Sequence, residues 1–295
     1  MSSPISSPAV PSTSRASTWT SASGRKVRVR DAVRTANLTA LALLILIPLV
    51  WAVLGSFKSP AELAQRPPTL LPHEWHPENY ATALTGFDVA RYLTNSVIVV
   101  VVATVLTLVV NSMAAYALSR YNFRGKNLLF LVTLATIMIP LQVILIPVYQ
   151  VTAQLGLTNS LAGVILPAIA TPTGVFLLRQ YMLTIPDELI DSARVDGVGE
   201  FGIFWRIVLP LCRPALAVLA IFSVLWRWND FLWPLVVTNE STRTLPVALQ
   251  RFASQEVVPF NLVLAIAVVS MIPVLICFLI FQKQIVQGIA ATGMK

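Results

Sequence analysis

The sequence predicts an all-α, polytopic membrane protein with six transmembrane helices, both termini cytosolic, and a pair of short amphipathic helices between helices 4 and 5. Three observations carry this expectation. Of the 295 residues, 56% are hydrophobic and only 12% charged, with a mean hydropathy of +0.75, whereas an ordinary soluble domain is about one-quarter charged. Six apolar runs, at residues 38–57, 97–118, 128–149, 161–178, 215–237 and 262–281, each approach the ~20 residues that cross about 30 Å of hydrocarbon. The basic residues then fall mostly on one side. With the N-terminus inside, the inner segments hold Arg15, Arg25, Lys26, Arg28, Arg30 and Arg34, then Arg120, Arg124 and Lys126, then Arg179, Arg194, Arg206 and Arg213, then Lys283 and Lys295. The outer segments hold only Lys58, Arg66, Arg91, Arg243 and Arg251. Positive charge gathers on the cytosolic side of membrane proteins. The net charge of +8 is therefore read as membrane orientation, with lipid and not nucleic acid as the partner.

In chain order, residues 1–36 are rich in Ser, Thr and Pro and then basic through Arg25, Lys26, Arg28 and Arg30. Nothing there buries a core, so a disordered cytosolic tail is expected, leaving 37–295 as the membrane domain. The first apolar run exceeds the ~7–15-residue core of a signal peptide, so it is expected to stay and span. The outer segment 58–90 contains Pro60, Pro67, Pro68, Pro72 and Pro77, with Trp75 and Tyr80 as candidate interfacial anchors. The second span opens at Asn95-Ser96 and ends in Tyr116-Ala117-Leu118-Ser119-Arg120-Tyr121-Asn122-Phe123-Arg124-Gly125. Pro140, Pro147, Pro167, Pro172, Pro234 and Pro273 punctuate the later runs. Membrane helices tolerate proline where neighbours satisfy the freed carbonyls. Such kinks suit a rocking bundle and a rigid one equally.

Residues 186–214 form a charged, amphipathic island between apolar runs. Pro186, Asp187 and Glu188 read as a helix start, with proline in the first turn and acids at the positive end of the dipole. Gly197 and Gly199 read as its stop, because glycine accepts the left-handed terminal conformation cheaply. A second helix fits residues 200–208, where Phe201, Phe204, Trp205 and Val208 recur at helical spacing. Pro210 is expected to stop it, since the residue before a proline is pushed out of helical geometry.

The order Asp191-Ser192-Ala193, Asp196-Gly197 and Ile207-Val208-Leu209-Pro210 resembles the Glu-Ala-Ala loop of binding-protein-dependent ABC importer permeases. Asp191 stands where that family usually has Glu, and Ser192 where it usually has Ala. The end of the second run resembles the Tyr-Ala-Leu-Ser-Arg…Phe-x-Gly pattern of the sugar-importing branch, the maltose/glycerol-3-phosphate type. The segment 238–261 resembles the family's outer loop that reaches into the solute-binding protein. Residues 282–291 resemble the branch's Phe-Val-Gln-Gly-Leu ending. The resemblance implies coupling helices at 186–210, carried by Glu188, Asp191, Ser192, Ala193, Asp196, Gly197, Phe201, Leu209 and Pro210, that sit in a groove of a cytosolic ATPase. It further implies an inner-membrane permease that pairs with a second, different permease chain, two ABC ATPase subunits and an extracytoplasmic solute-binding protein.

The fifth run carries Trp226-Arg227-Trp228-Asn229-Asp230-Phe231-Leu232-Trp233-Pro234. Charged groups inside a membrane are costly and face a bundle interior or a wet cavity. Trp228, Asn229 and Asp230 are therefore candidates for a translocation path, since aromatics beside amide and carboxylate groups suit a polyol. The competing reading is structural: Arg227 and Asp230, three residues apart, neutralise each other.

No catalytic residues are expected. Gly125-Lys126 is followed by Asn127, and position 120 is Arg, so the phosphate-binding Gly-x4-Gly-Lys-Ser/Thr loop is missing. The chain is thus expected to be no enzyme and to hold no cofactor, with ATP and Mg²⁺ bound by the partner ATPases. His73 and His76 beside Glu74 read as solvated loop residues, and Cys212 and Cys277 as buried thiols without metal-ligand or disulfide spacing. Two alternatives stay open: an ion-coupled secondary transporter using Asp230, and a non-transporting membrane anchor for an ATPase.

Overall fold

Helix follows helix along the chain, and among the described residues there is no strand. The computed structural model describes residues 22–254 and 258–292. They fall into two units, one ending at Trp51 and one beginning at Ala52. The first unit is most of helix α1, Ala22–Gly55. Its start at Ala22 shortens the expected tail: residues 22–36 are helical, in keeping with their content of Arg, Lys and Ala, which are good helix formers. Residues 1–21 lie outside the described residues. Leu43, Leu44 and Ile45 in α1 are all exposed, as in a helix apolar on every side.

In the second unit, α2 (Pro60–Leu63) and α3 (Glu78–Gly86) order the expected outer segment. Helix α4 runs Val89–Arg120. Helix α5 (Lys126–Ala135) continues through a 3-10 turn to Met138, and α6 spans Leu141–Gln154. Helix α7 (Leu161–Ile165) likewise extends to Ala168 before α8, Pro172–Met182. Helices α9 (Asp187–Val195), α10 (Glu200–Ile203) and α11 (Leu209–Leu211) follow, with a π-turn at Phe204–Val208 joining the last two. The chain closes with α12 (Arg213–Trp228), α13 (Leu232–Val237), α14 (Leu245–Ser254) and α15 (Phe260–Thr292).

Among the described residues, three helices are long and apolar enough to cross a membrane unaided: α1 from Ala32, α4, and α15 to Gln282. The third and fourth expected spans are bent pairs, and a third sharp bend joins the segment between α8 and α12 to the start of the fifth. Lys126–Met138 meets Leu141–Gln154 at 109°, Leu161–Ala168 meets Pro172–Met182 at 45°, and Glu200–Leu211 meets Arg213–Trp228 at 77°. Prolines explain the breaks, since Pro140, Pro172 and Pro214 each sit at one and cannot donate to the preceding turn. The run expected to cross as residues 215–237 is itself two helices, because α12 ends at Trp228. There the Asn229 side chain donates to the Leu225 carbonyl at 2.8 Å, and Pro234 has no N–H to offer the Asp230 carbonyl.

Helix α4 is the axis of the second unit. Ala115 and Tyr116 near its end join Leu178, Met182, Ile190, Ile203, Phe204 and Val208 in one buried cluster. Val99 and Ala103 join Val164, Ile165, Trp233 and Val237 in another. Val89, Tyr92 and Val100 join Trp228, Leu245, Leu262 and Ile266 in a third. At 32 residues it is about 48 Å long at ~1.5 Å per residue, so it reaches past the hydrocarbon at one end or both.

Candidate functional site

The island between α8 and α12 folds as two short helices at a bend. Asp187 and Glu188 fill the first turn of α9, and Arg194 the last. Gly197 stands at φ +77°. The Val198 N–H donates to the Ala193 carbonyl at 2.9 Å and the Gly197 N–H to the Arg194 carbonyl at 3.0 Å, closing the helix with the paired bonds of a left-handed glycine stop. The second helix departs from expectation. It runs through the π-turn to Leu211, past Pro210, because the wider turn moves the carbonyl that the proline ring would strike and spends one bond that proline cannot make.

That turn also redistributes the apolar face. Phe204 and Val208 are buried, while Phe201 is 71% exposed and Trp205 37%. Val195 at 87% and Leu189 at 46% are exposed as well, as are the acids Asp187, Glu188, Asp191 and Asp196. Of the residues that the Glu-Ala-Ala resemblance singles out, Glu188, Asp191, Ser192, Asp196, Gly197 and Phe201 are exposed, Leu209 and Pro210 half-buried, and Ala193 buried. Ala193 therefore packs the module onto the bundle and presents nothing outward.

The module is tied to the end of α4. Tyr116 Oη donates to Glu200 Oε2 at 2.9 Å, Tyr121 Oη donates to the same oxygen at 3.1 Å, and Arg194 Nε donates to Glu200 Oε1 at 2.8 Å. Arg194 also reaches Asp191 at 3.0 Å. The hydrogen bond from Arg194, ahead of those from the two tyrosines, holds the Glu200 carboxyl below the usual carboxylate range. Arg120, buried at the end of α4, pairs with Asp187 and donates to the Met182 and Ile185 carbonyls. The clamp was not anticipated from sequence. Its only signal was a family-like string, Tyr116 to Gly125, lying far from Glu200 in the chain.

A second constellation follows the length of α4. Thr104, Thr107 and Asn111 are buried at i, i+3 and i+7 in an otherwise apolar run. Thr104 shares a hydrogen bond with Ser223 of α12 at 2.9 Å. Asn111 brackets the break between α7 and α8: its amide donates to the Ile169 carbonyl at 3.3 Å and to Thr171 Oγ1 at 3.0 Å, and its oxygen accepts from the Thr171 N–H at 3.0 Å. Gly174 permits this approach, since a Cβ there would lie 3.0 Å from Asn111 Nδ2 and 2.5 Å from Thr171 Oγ1. Arg227 Nη2 donates to Thr107 Oγ1 and to the Ala168 carbonyl, both at 2.6 Å.

Arg227 is thus occupied with the broken helix. Among the described residues it makes no close ion pair with Asp230 three positions on, and its terminal nitrogen is spent on Thr107 and Ala168. The candidate path residues also separate. Trp228 is buried and donates through Nε1 to the Ser270 carbonyl of α15 at 3.1 Å, Asn229 is exposed, and Asp230 is half-buried in the gap before α13. In the outer segment, His76 meets Glu78 at 2.6 Å, and the His73 backbone N–H donates to Glu62.

Residues 108–291 match the family described as "binding-protein-dependent transport system inner membrane component". The chain is 38% identical over 267 residues to the arabinooligosaccharides transport system permease protein AraQ of Halalkalibacterium halodurans, covering 88% of this chain and 95% of that protein. It is 33% identical to the diacetylchitobiose uptake system permease protein NgcG of Streptomyces coelicolor, covering 88% and 87%. Among solved structures, a chain of a bacterial ABC transporter that imports the acidic polysaccharide alginate superposes with a TM-score of 0.78 at 25% identity, covering 93% of this chain and 99% of that one.

Proposed function

Since the chain belongs to the family of inner membrane components of binding-protein-dependent transport systems, we propose that it is a permease subunit of an ATP-driven importer. In this reading it forms half of the translocation path for a sugar or sugar-like solute in the cytoplasmic membrane. Relatives named for arabinooligosaccharide and diacetylchitobiose transport support a saccharide cargo. The partners are a second permease chain, two cytosolic ATPases that hold ATP and Mg²⁺, and an extracytoplasmic binding protein. This chain supplies no catalytic group and no cofactor.

One observation carries the coupling role: the module from α9 to α11 exposes Val195, Phe201 and Trp205 amid acids, yet is bonded through Glu200 and Asp187 to the end of α4. Large apolar side chains left exposed among charged ones suit a protein partner. Closure of the ATPase dimer would pull on this surface. The Tyr116, Tyr121 and Arg120 bonds would pass the displacement to α4, which joins all three buried clusters. Movement between inward- and outward-facing arrangements then needs only that the ATPases favour one of them.

The test is co-purification of the cognate ATPase, with ATP-driven uptake, for wild type, Phe201→Glu, Asp191→Lys and Gly197→Pro. Proline cannot adopt the positive φ of Gly197, so that variant unseats the end of α9. Loss of ATPase binding or coupling with normal membrane insertion is expected for all three. Uptake that continues undiminished in all of them would overturn the assignment.

A further inference from the structure

The short segment joining α4 to α5 borders, with Arg179 of α8, an open surface cavity of about 350 Å³ lined by Asn122, Phe123, Lys126, Asn127, Leu128 and Arg179. We propose that it binds the phosphate of an anionic phospholipid headgroup at the cytosolic face of the membrane. The placement at that face rests on the orientation adopted under the proposed function.

The charge is unbalanced. Lys126 and Arg179 are both half-buried, and among the described residues the ion pairs include neither of them. Backbone carbonyls use one donor of each: Lys126 Nζ to Ser119 at 3.2 Å and Arg179 Nε to Leu118 at 3.1 Å. These bonds tether both cations to the end of α4. The Arg179 guanidinium lies 4.0 Å from the centre of the Phe130 ring, which fixes its plane and leaves its terminal N–H groups to a ligand. Two tethered cations and the amides of Asn122 and Asn127 form a donor set for a tetrahedral oxyanion, to which guanidinium and ammonium groups bind in complementary ways.

The apolar surroundings select a lipid over a soluble phosphate. Leu128, Leu129, Leu131 and Val132 follow directly along α5 and are 65%, 51%, 62% and 53% exposed. A headgroup in the cavity would have its acyl chains beside this apolar wall. Basic pockets between helices at the cytosolic membrane surface hold anionic headgroups in this manner.

The full-length protein in neutral detergent, titrated with brominated phosphatidylglycerol or brominated phosphatidylcholine, reports binding through quenching of its tryptophans. Wild type is expected to prefer the anionic lipid by about 30-fold, and Lys126→Gln to lose about fivefold of that preference. Lys126→Gln with Arg179→Gln is expected to abolish it in a protein that still inserts and unfolds cooperatively, at a somewhat lower midpoint because the bonds to Ser119 and Leu118 are lost. Addition of 10 mM inorganic phosphate is expected to leave wild-type lipid binding intact. Equal binding of the two lipids by wild type overturns the proposal, as does displacement by free phosphate, which would assign the cavity to a soluble phosphate compound. A double variant that keeps its lipid preference but no longer co-purifies with the ATPase would place the cavity in the protein interface instead, and also overturns it. Lipid binding is read without transport, so failure here leaves the permease assignment standing.

Discussion

Arg227 Nη2 lies 2.6 Å from the carbonyl oxygen of Ala168, the last residue before the break between α7 and α8. A broken helix leaves carbonyls without partners, and in a membrane an unsatisfied carbonyl costs more than in water. Arg227 and Asn111 between them cover Ala168 and Ile169. The one arginine expected within the fifth span is therefore a staple for the fourth.

Removing that staple should destabilise the protein without altering its surface. Arg227→Met is expected to cost roughly 1–2 kcal/mol, since it strands the Ala168 carbonyl while keeping an apolar side chain. Asn111→Leu should cost a similar amount. Thermal unfolding in detergent reads both, and an unchanged midpoint for the pair would remove the staple role.

Gly163 and Gly86 provide a matched contrast. A Cβ on Gly163 would lie 2.1 Å from the Leu157 carbonyl oxygen, a backbone atom that cannot swing away. The Gly163 carbonyl also accepts from Trp233 Nε1 at 3.1 Å. Gly163→Ala is expected to lower the unfolding midpoint and to shift Trp233 fluorescence. Gly86→Ala, at a position with nothing within 4 Å, should be neutral or slightly stabilising, as Ala favours helix over Gly.

Glu200 should make the coupling module sensitive to acid. Its folded carboxyl sits below the ordinary value of 4.5, chiefly through the Arg194 hydrogen bond. A carboxyl depressed on folding stabilises fully above its unfolded value and loses that contribution as pH falls through the folded one. Pepsin cleavage within residues 187–211 is expected to stay slow near pH 5 and to accelerate well below 4.5. Glu200→Gln should cleave readily even at pH 5, with a weaker pH response. Equal cleavage of wild type and variant across this range would show that Glu200 does not anchor the module.

Phe201→Ala is expected to leave stability within about 0.5 kcal/mol of wild type, as befits a side chain 71% exposed, yet to weaken ATPase co-purification severalfold. Phe204→Ala should do the reverse in the first respect, losing roughly 3–5 kcal/mol from the cluster that holds Tyr116. Unfolding and pull-down on the same preparations separate the two.

The amino-acid sequence by itself determined the membrane class, the apolar runs, the helix from Asp187 to Val195 and its glycine stop, because hydropathy, proline and glycine act within a few residues. It also marked residues 108–291 as a family member, through short ordered motifs. Only the tertiary structure decided that two runs are bent pairs and the fifth is broken after Trp228, that the second coupling helix passes Pro210, that Ala193 faces inward, and that Arg227 caps Ala168. Each of these depends on partners some 60 or more positions away or on a local change of helical pitch, such as Tyr116 with Glu200 or Asn111 with Thr171. A buried polar group is costly enough to find its partner in the folded chain. Which partner it finds depends on how the helices pack, and no local pattern encodes that.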